Sequence, residues 1–132
     1  MKYLPFAALV LAACVHSGHA DDTAASPDFT QMDWVLTMVD GQPAGYSATI
    51  NLAESGRVTG QAPCNRYFAD LTRDGDRFKL GAIGATRMAC LQIEGEAAFF
   101  QLLQGVETAE MRPGMLTLTG GGHQMAFVQP ID

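Results

Sequence analysis

Trp34-Val35-Leu36-Thr37-Met38-Val39-Asp40-Gly41 spells a strand and its stop. Trp34, Leu36 and Met38 fall on one side of a period of two, Val35, Thr37 and Val39 on the other, and Asp40-Gly41 breaks the run. The same period recurs downstream. Ala48, Ile50 and Leu52 alternate with Ser47, Thr49 and Asn51 up to a turn at Glu54-Ser55-Gly56, after which Val58 and Gly60 continue inward while Arg57, Thr59 and Gln61 point out. Residues 65–72 are expected to pair with 77–83 across Asp74-Gly75, because that dipeptide tolerates the positive φ of a tight hairpin. Phe78, Leu80 and Ala82 then form the inner face of the second strand.

The period changes once. Phe99, Leu102, Leu103 and Val106 stand at i, i+3, i+4 and i+7, which predicts one amphipathic helix over residues 94–105. Glu94 and Glu96 suit the positive end of its dipole, and Gly105 suits its C-terminal cap. Strand patterning resumes at residues 107–111, turns at Pro113-Gly114, runs through Leu116 and Leu118, breaks at Gly120-Gly121-Gly122 and ends with Met125 and Phe127. The expected class is α+β, mainly β. It is a small antiparallel curved sheet or cracked β-barrel of about eight strands, with one helix covering an opening or a face.

Upstream, Met1 and Lys2 precede an apolar run at residues 4–15, the length of a signal h-region and too short to span a bilayer. Residues 1–20 therefore read as an export signal with two competing cut sites. Gly18-His19-Ala20 fits a general signal peptidase, whereas Leu11-Ala12-Ala13-Cys14 fits a lipoprotein box that would make Cys14 the lipidated N-terminus. Residues 21–32 read as a linker and 33–129 as one domain.

Past residue 20, seven Arg and Lys stand against fourteen Asp and Glu, a net charge of −7 with His neutral. The basic residues are interspersed with acids, which argues against nucleic acid and against anionic lipid headgroups as electrostatic partners. Cys64 and Cys90 are the two cysteines beyond the signal, and an even pair in a small exported protein reads first as a disulfide. Closing a loop of about 27 residues contributes ~3.5 kcal/mol in the chain-entropy account.

The chain offers little for catalysis. Beyond the signal there is one histidine, His123, in a Gly-rich turn where a solvent-facing role is the ordinary one, and there is no Gly-x-Ser-x-Gly elbow or phosphate loop. Asp70, Asp74 and Asp76 flank a hairpin and read as turn and solubility residues. Met111 and Met115 flank Pro113-Gly114, so a convergent thioether pair for Cu(I) is a minor reading beside core filling. No enzyme activity, cofactor or metal is expected.

One block is more specific: Cys64-Asn65-Arg66-Tyr67, then Ala85-Thr86-Arg87-Met88-Ala89-Cys90, preceded by Trp34-Val35-Leu36 and Asp40-Gly41-Gln42-Pro43. It resembles the META-domain family, also called HslJ-like, over residues 33–128. Pro63 stands where family members usually carry Gly, and Ala69-Asp70-Leu71 replaces a Gly-x-Tyr pattern, so the strand after Cys64 is expected to differ locally. The resemblance implies a compact β-domain with one helix and no catalysis, in secreted or lipid-anchored envelope proteins associated with heat response and novobiocin tolerance. It favours Cys14 as the anchor.

On this reading Asn65, Arg66, Thr86, Arg87 and Met88 form a corner around the bridge, with Asn65 bonding the backbone beside it and Arg87 pairing with an acid. The expected function is a monomeric, non-enzymatic envelope protein that binds another envelope protein or a small apolar ligand. It would touch membrane only through a lipid anchor at Cys14, with an outer-membrane location facing the periplasm ahead of a soluble periplasmic one. The alternatives are an inhibitor or pilot-like chaperone acting through the turns at 113–114 and 120–122, and a copper or redox role.

Overall fold

A computed structural model describes residues 33–130. The expected signal, Cys14 and the expected linker lie outside them. The described chain forms β1 (Asp33–Val39), β2 (Gln42–Pro43), β3 (Thr49–Asn51), β4 (Arg57–Gln61), β5 (Arg66–Asp74), β6 (Arg77–Leu80), β7 (Gly84–Ala85), α1 (Glu96–Gly105), β8 (Thr108–Arg112), β9 (Met115–Gly120) and β10 (His123–Val128).

Every strand pairing is antiparallel, and eight strands close a ring in the order β1, β3, β4, β5, β6, β8, β9, β10, with β10 returning to β1. Closure removes the open edges that a sheet this size would otherwise expose. The barrel with one helix matches the expected class. Short β2 pairs with β1, and short β7 pairs with β5, outside the ring. Two seams are thin: β3 meets β4 at Asn51–Thr59, and β6 meets β8 at Arg77–Thr108. The helix packs against β6 and β9, beside the second seam, and Gln104 there donates to the Gly81 carbonyl at 2.8 Å.

The inward residues follow the alternation closely. Trp34, Leu36, Ala48, Ile50, Leu52, Val58, Phe78, Leu116, Leu118, Met125 and Phe127 are buried, and Phe99, Leu103 and Val106 bring the helix stripe into the same core. β5 adds Tyr67, Ala69 and Leu71 in strict alternation. The strand after Cys64 is thus regular despite Pro63 and the Ala69-Asp70-Leu71 departure.

Four expectations shift. Met38 is exposed, because the β1–β10 register slips between Leu36 and Met38 and turns the strand over. Val39 then packs against the core in its place. Ala82 is exposed because β6 ends at Leu80. The hairpin turn comprises Gly75-Asp76, since Asp74 pairs with Arg77. The helix begins at Glu96, and Gly105 is its last residue, with Val106 in extended conformation as the cap. The glycine that matters at this junction is Gly120: a Cβ there would strike the Gly105 carbonyl oxygen and the backbone of Val106 and Glu107. The end of the helix and the end of β9 meet backbone to backbone.

Candidate functional site

The signature residues gather at one corner of the barrel, around the first turn of α1. Cys64 and Cys90 are joined, with Cα atoms 5.8 Å apart. The bridge ties the loop before β5 to loop 86–95, which leads into the helix. Gly95 enters that helix at φ 86°, and a Cβ there would collide with the Tyr46 ring, so the position requires glycine twice over.

At the centre of the corner lies Glu96. Its Oε1 accepts the backbone N–H groups of Cys64 at 3.0 Å and Asn65 at 2.7 Å, and its Oε2 accepts the Asn65 Nδ2 at 2.7 Å. Asn65 passes the network on. Its Oδ1 accepts the Thr86 hydroxyl at 3.1 Å and the Met88 N–H at 2.6 Å. The Thr86 hydroxyl oxygen in turn accepts the Arg66 N–H at 3.1 Å, and the Thr86 N–H donates to the Arg66 carbonyl at 3.0 Å. Both Asn65 and Glu96 are buried, at 6% and 5% exposure, so their mutual satisfaction is what makes burial tolerable. Burial pushes the Glu96 carboxyl pKa up, but the Asn65 and Cys64 donors outweigh it and hold the pKa below its ordinary value.

Asn65, Thr86 and Met88 are therefore brought together, Met88 through its backbone N–H. Arg66 contributes its backbone. Arg87 does not fit the expectation: it is exposed and makes no ion pair among the described residues. Glu96 itself is the residue that sequence reasoning missed. As the first residue of a helix, it was accounted for by the dipole alone. The available signal was its place on the buried stripe, three residues before Phe99 and seven before Leu103.

Beyond the network, loop 86–95 carries three large apolar side chains into solvent: Met88 at 52% exposure, Leu91 at 105% and Ile93 at 53%. Beside them a groove of about 550 Å³ is lined by Gly45, Tyr46, Ser47, Pro63, Leu91, Gln92 and Glu94. The Tyr46 ring stands edge-on to Phe99, and its hydroxyl is buried with no hydrogen-bond partner among the described residues. Burial pushes its pKa up.

The other candidates resolve separately. His123 is exposed at the start of β10, and its Nδ1 lies 2.7 Å from Asp40 Oδ2, while Asp40 Oδ1 accepts the Gln124 N–H at 2.8 Å. These contacts, His123 first, hold the Asp40 carboxyl below its usual pKa. Together they pin the β1–β2 turn to β10. Met111 pairs with buried Leu116 and packs on the core, whereas Met115 pairs with Arg112 and is exposed. Their thioethers lie on opposite faces of the sheet, so the expected convergence does not occur. Among the described residues no group of three or more His, Cys, Asp or Glu is placed to hold a metal, and no helix is long and apolar enough to cross a membrane.

A closed antiparallel barrel with one helix, stapled beside a Cys-Asn signature, defines the class. The META domain model matches residues 27–131, and the chain belongs to that family. No curated protein matches it. An NMR structure of a protein from Burkholderia xenovorans is similar at a TM-score of 0.60 and 23% identity, covering 86% of this chain and 98% of that one. A crystal structure of a DUF4847 family protein from Bacteroides vulgatus gives 0.57 and 12%, covering 85% and 99%. At these identities the likeness concerns the fold.

Proposed function

We propose that the protein is a non-enzymatic binding module of the bacterial cell envelope, supporting stress or antibiotic tolerance, that meets its partner through loop 86–95. One observation carries the reading. Met88, Leu91 and Ile93 are held in water on a loop whose course is fixed by the disulfide, by Asn65 and by the Glu96 turn. Clustered apolar exposure on an ordered loop marks contact surface, and a preordered loop loses less entropy on binding. The envelope location is supported by the N-terminal signal pattern and by a disulfide that an oxidising compartment maintains. The Cys14 box supports tethering at the outer membrane.

A photo-crosslinking residue placed at Leu91 or Ile93 in living cells tests the assignment. Adducts are expected from these positions and not from Lys79, an exposed residue of β6. Adducts from Pro113 or Gly122 instead would favour the inhibitor or pilot-like reading, and none from Leu91 or Ile93 would remove the loop as a binding surface.

A further inference from the structure

We infer that the occupant of loop 86–95 is a polypeptide segment of a partner protein, seated in the groove between that loop and residues 45–47, with an apolar side chain beside a basic one. The inference rests on the reading of this loop as the binding surface and names what binds there.

Two features of the groove select a polypeptide over a lipid surface. First, the backbone N–H groups of Leu91 and Gln92, both residues of the groove lining, make no hydrogen bond among the described residues. Water satisfies such groups on an exposed loop, but insertion into hydrocarbon strips that water without replacement, at a cost of several kcal/mol for each group. A polypeptide brings carbonyl oxygens to the same N–H groups, as extended segments do when they dock on exposed main chain. Second, the groove has a volume of about 550 Å³ and Glu94 is the one charged side chain on its lining. Leu91 gives the segment an apolar contact, and Glu94 favours a cationic neighbour.

The test is panning of a random linear dodecapeptide phage library on the full mature protein with its disulfide intact. It is run beside flotation with vesicles of phosphatidylethanolamine and phosphatidylglycerol. Enriched peptides are expected to pair an apolar with a basic residue. Their affinity should fall at least about tenfold in Leu91→Asp, which removes the apolar anchor of a fully exposed side chain. Glu94→Gln removes the one charge on the groove lining, so about a threefold loss is expected for peptides that carry a basic residue. No enrichment, or peptides whose binding ignores both variants, overturns the inference. Vesicle binding that depends on Leu91, or a lipid adduct in the crosslinking experiment, also overturns it while leaving the binding surface in place. If the loop gives no adduct of any kind, the proposed function falls as well.

Discussion

Asn65 delivers both its backbone N–H and its side-chain amide to the carboxylate of Glu96, each at 2.7 Å, across 31 positions of sequence. The helix thereby begins on the residue that fixes the strand entry, and the opposite end of the Asn65 amide fixes Met88. One buried amide thus fixes the start of loop 86–95, and the bridge at Cys90 holds its middle.

Exchanging Glu96 for Gln keeps the shape but replaces a charged double acceptor with a neutral acceptor and an NH2 group facing the Asn65 Nδ2. Hydrogen bonds to a charged group contribute about 1.5–3 kcal/mol each, and a buried donor left facing another donor costs about 1–3 kcal/mol. Glu96→Gln should therefore lower stability by about 2–3 kcal/mol, which for a domain of this size is a Tm drop of roughly 10–20 °C. Thermal unfolding followed by circular dichroism measures it; an unchanged Tm would show that the network is incidental.

The same pair can be tested by swapping its chemistry. Asn65→Asp alone sets two carboxylates at hydrogen-bond distance, and should destabilise more than Glu96→Gln at neutral pH. Adding Glu96→Gln to Asn65→Asp restores a donor facing an acceptor, so the double variant should recover at least about 1 kcal/mol relative to Asn65→Asp. Additive losses would contradict direct coupling.

Acid should weaken the corner in a defined direction. The folded Glu96 pKa lies below its ordinary value of 4.5, so its contribution is complete above that value and is lost as pH falls through the folded pKa. The gap in urea midpoint between wild type and Glu96→Gln should therefore be widest near neutrality and shrink below about pH 4. A gap independent of pH between 7 and 3 would mean that the carboxylate charge is not what holds Asn65.

Reducing the Cys64–Cys90 bridge frees the middle of loop 86–95 while the Asn65 contacts remain. A loss of about 3–4 kcal/mol is expected in denaturant titrations with a reductant present. Limited proteolysis under the same conditions should cut first within loop 86–95. First cuts elsewhere would show that the bridge does not govern that loop.

The barrel was legible because alternation survives in nearly every strand: Ile50, Val58, Phe78, Leu118 and Phe127 are each where a period of two places them. Met38 was misread because a register slip leaves no trace in the pattern of apolar letters, and Ala82 because a strand's end depends on what its partner continues to pair. At the candidate site, Cys64, Cys90, Asn65 and Thr86 were recognisable from the signature block. Glu96 was not, since its partners are long-range and a simpler local cause already explained an acid at a helix start. The apolar exposure of Met88, Leu91 and Ile93 was hidden for a related reason: composition gives hydrophobicity, whereas exposure follows from how the bridge and Asn65 route the loop.

The most direct test of the account is the yield of adducts from a photo-crosslinking residue at Ile93 in cells, compared between the otherwise wild-type chain and one carrying Leu91→Asp. The account predicts a discrete protein adduct at Ile93 that Leu91→Asp abolishes and His123→Ala leaves unchanged. An adduct pattern at Ile93 indistinguishable from that at Lys79, or one indifferent to Leu91→Asp, would contradict it.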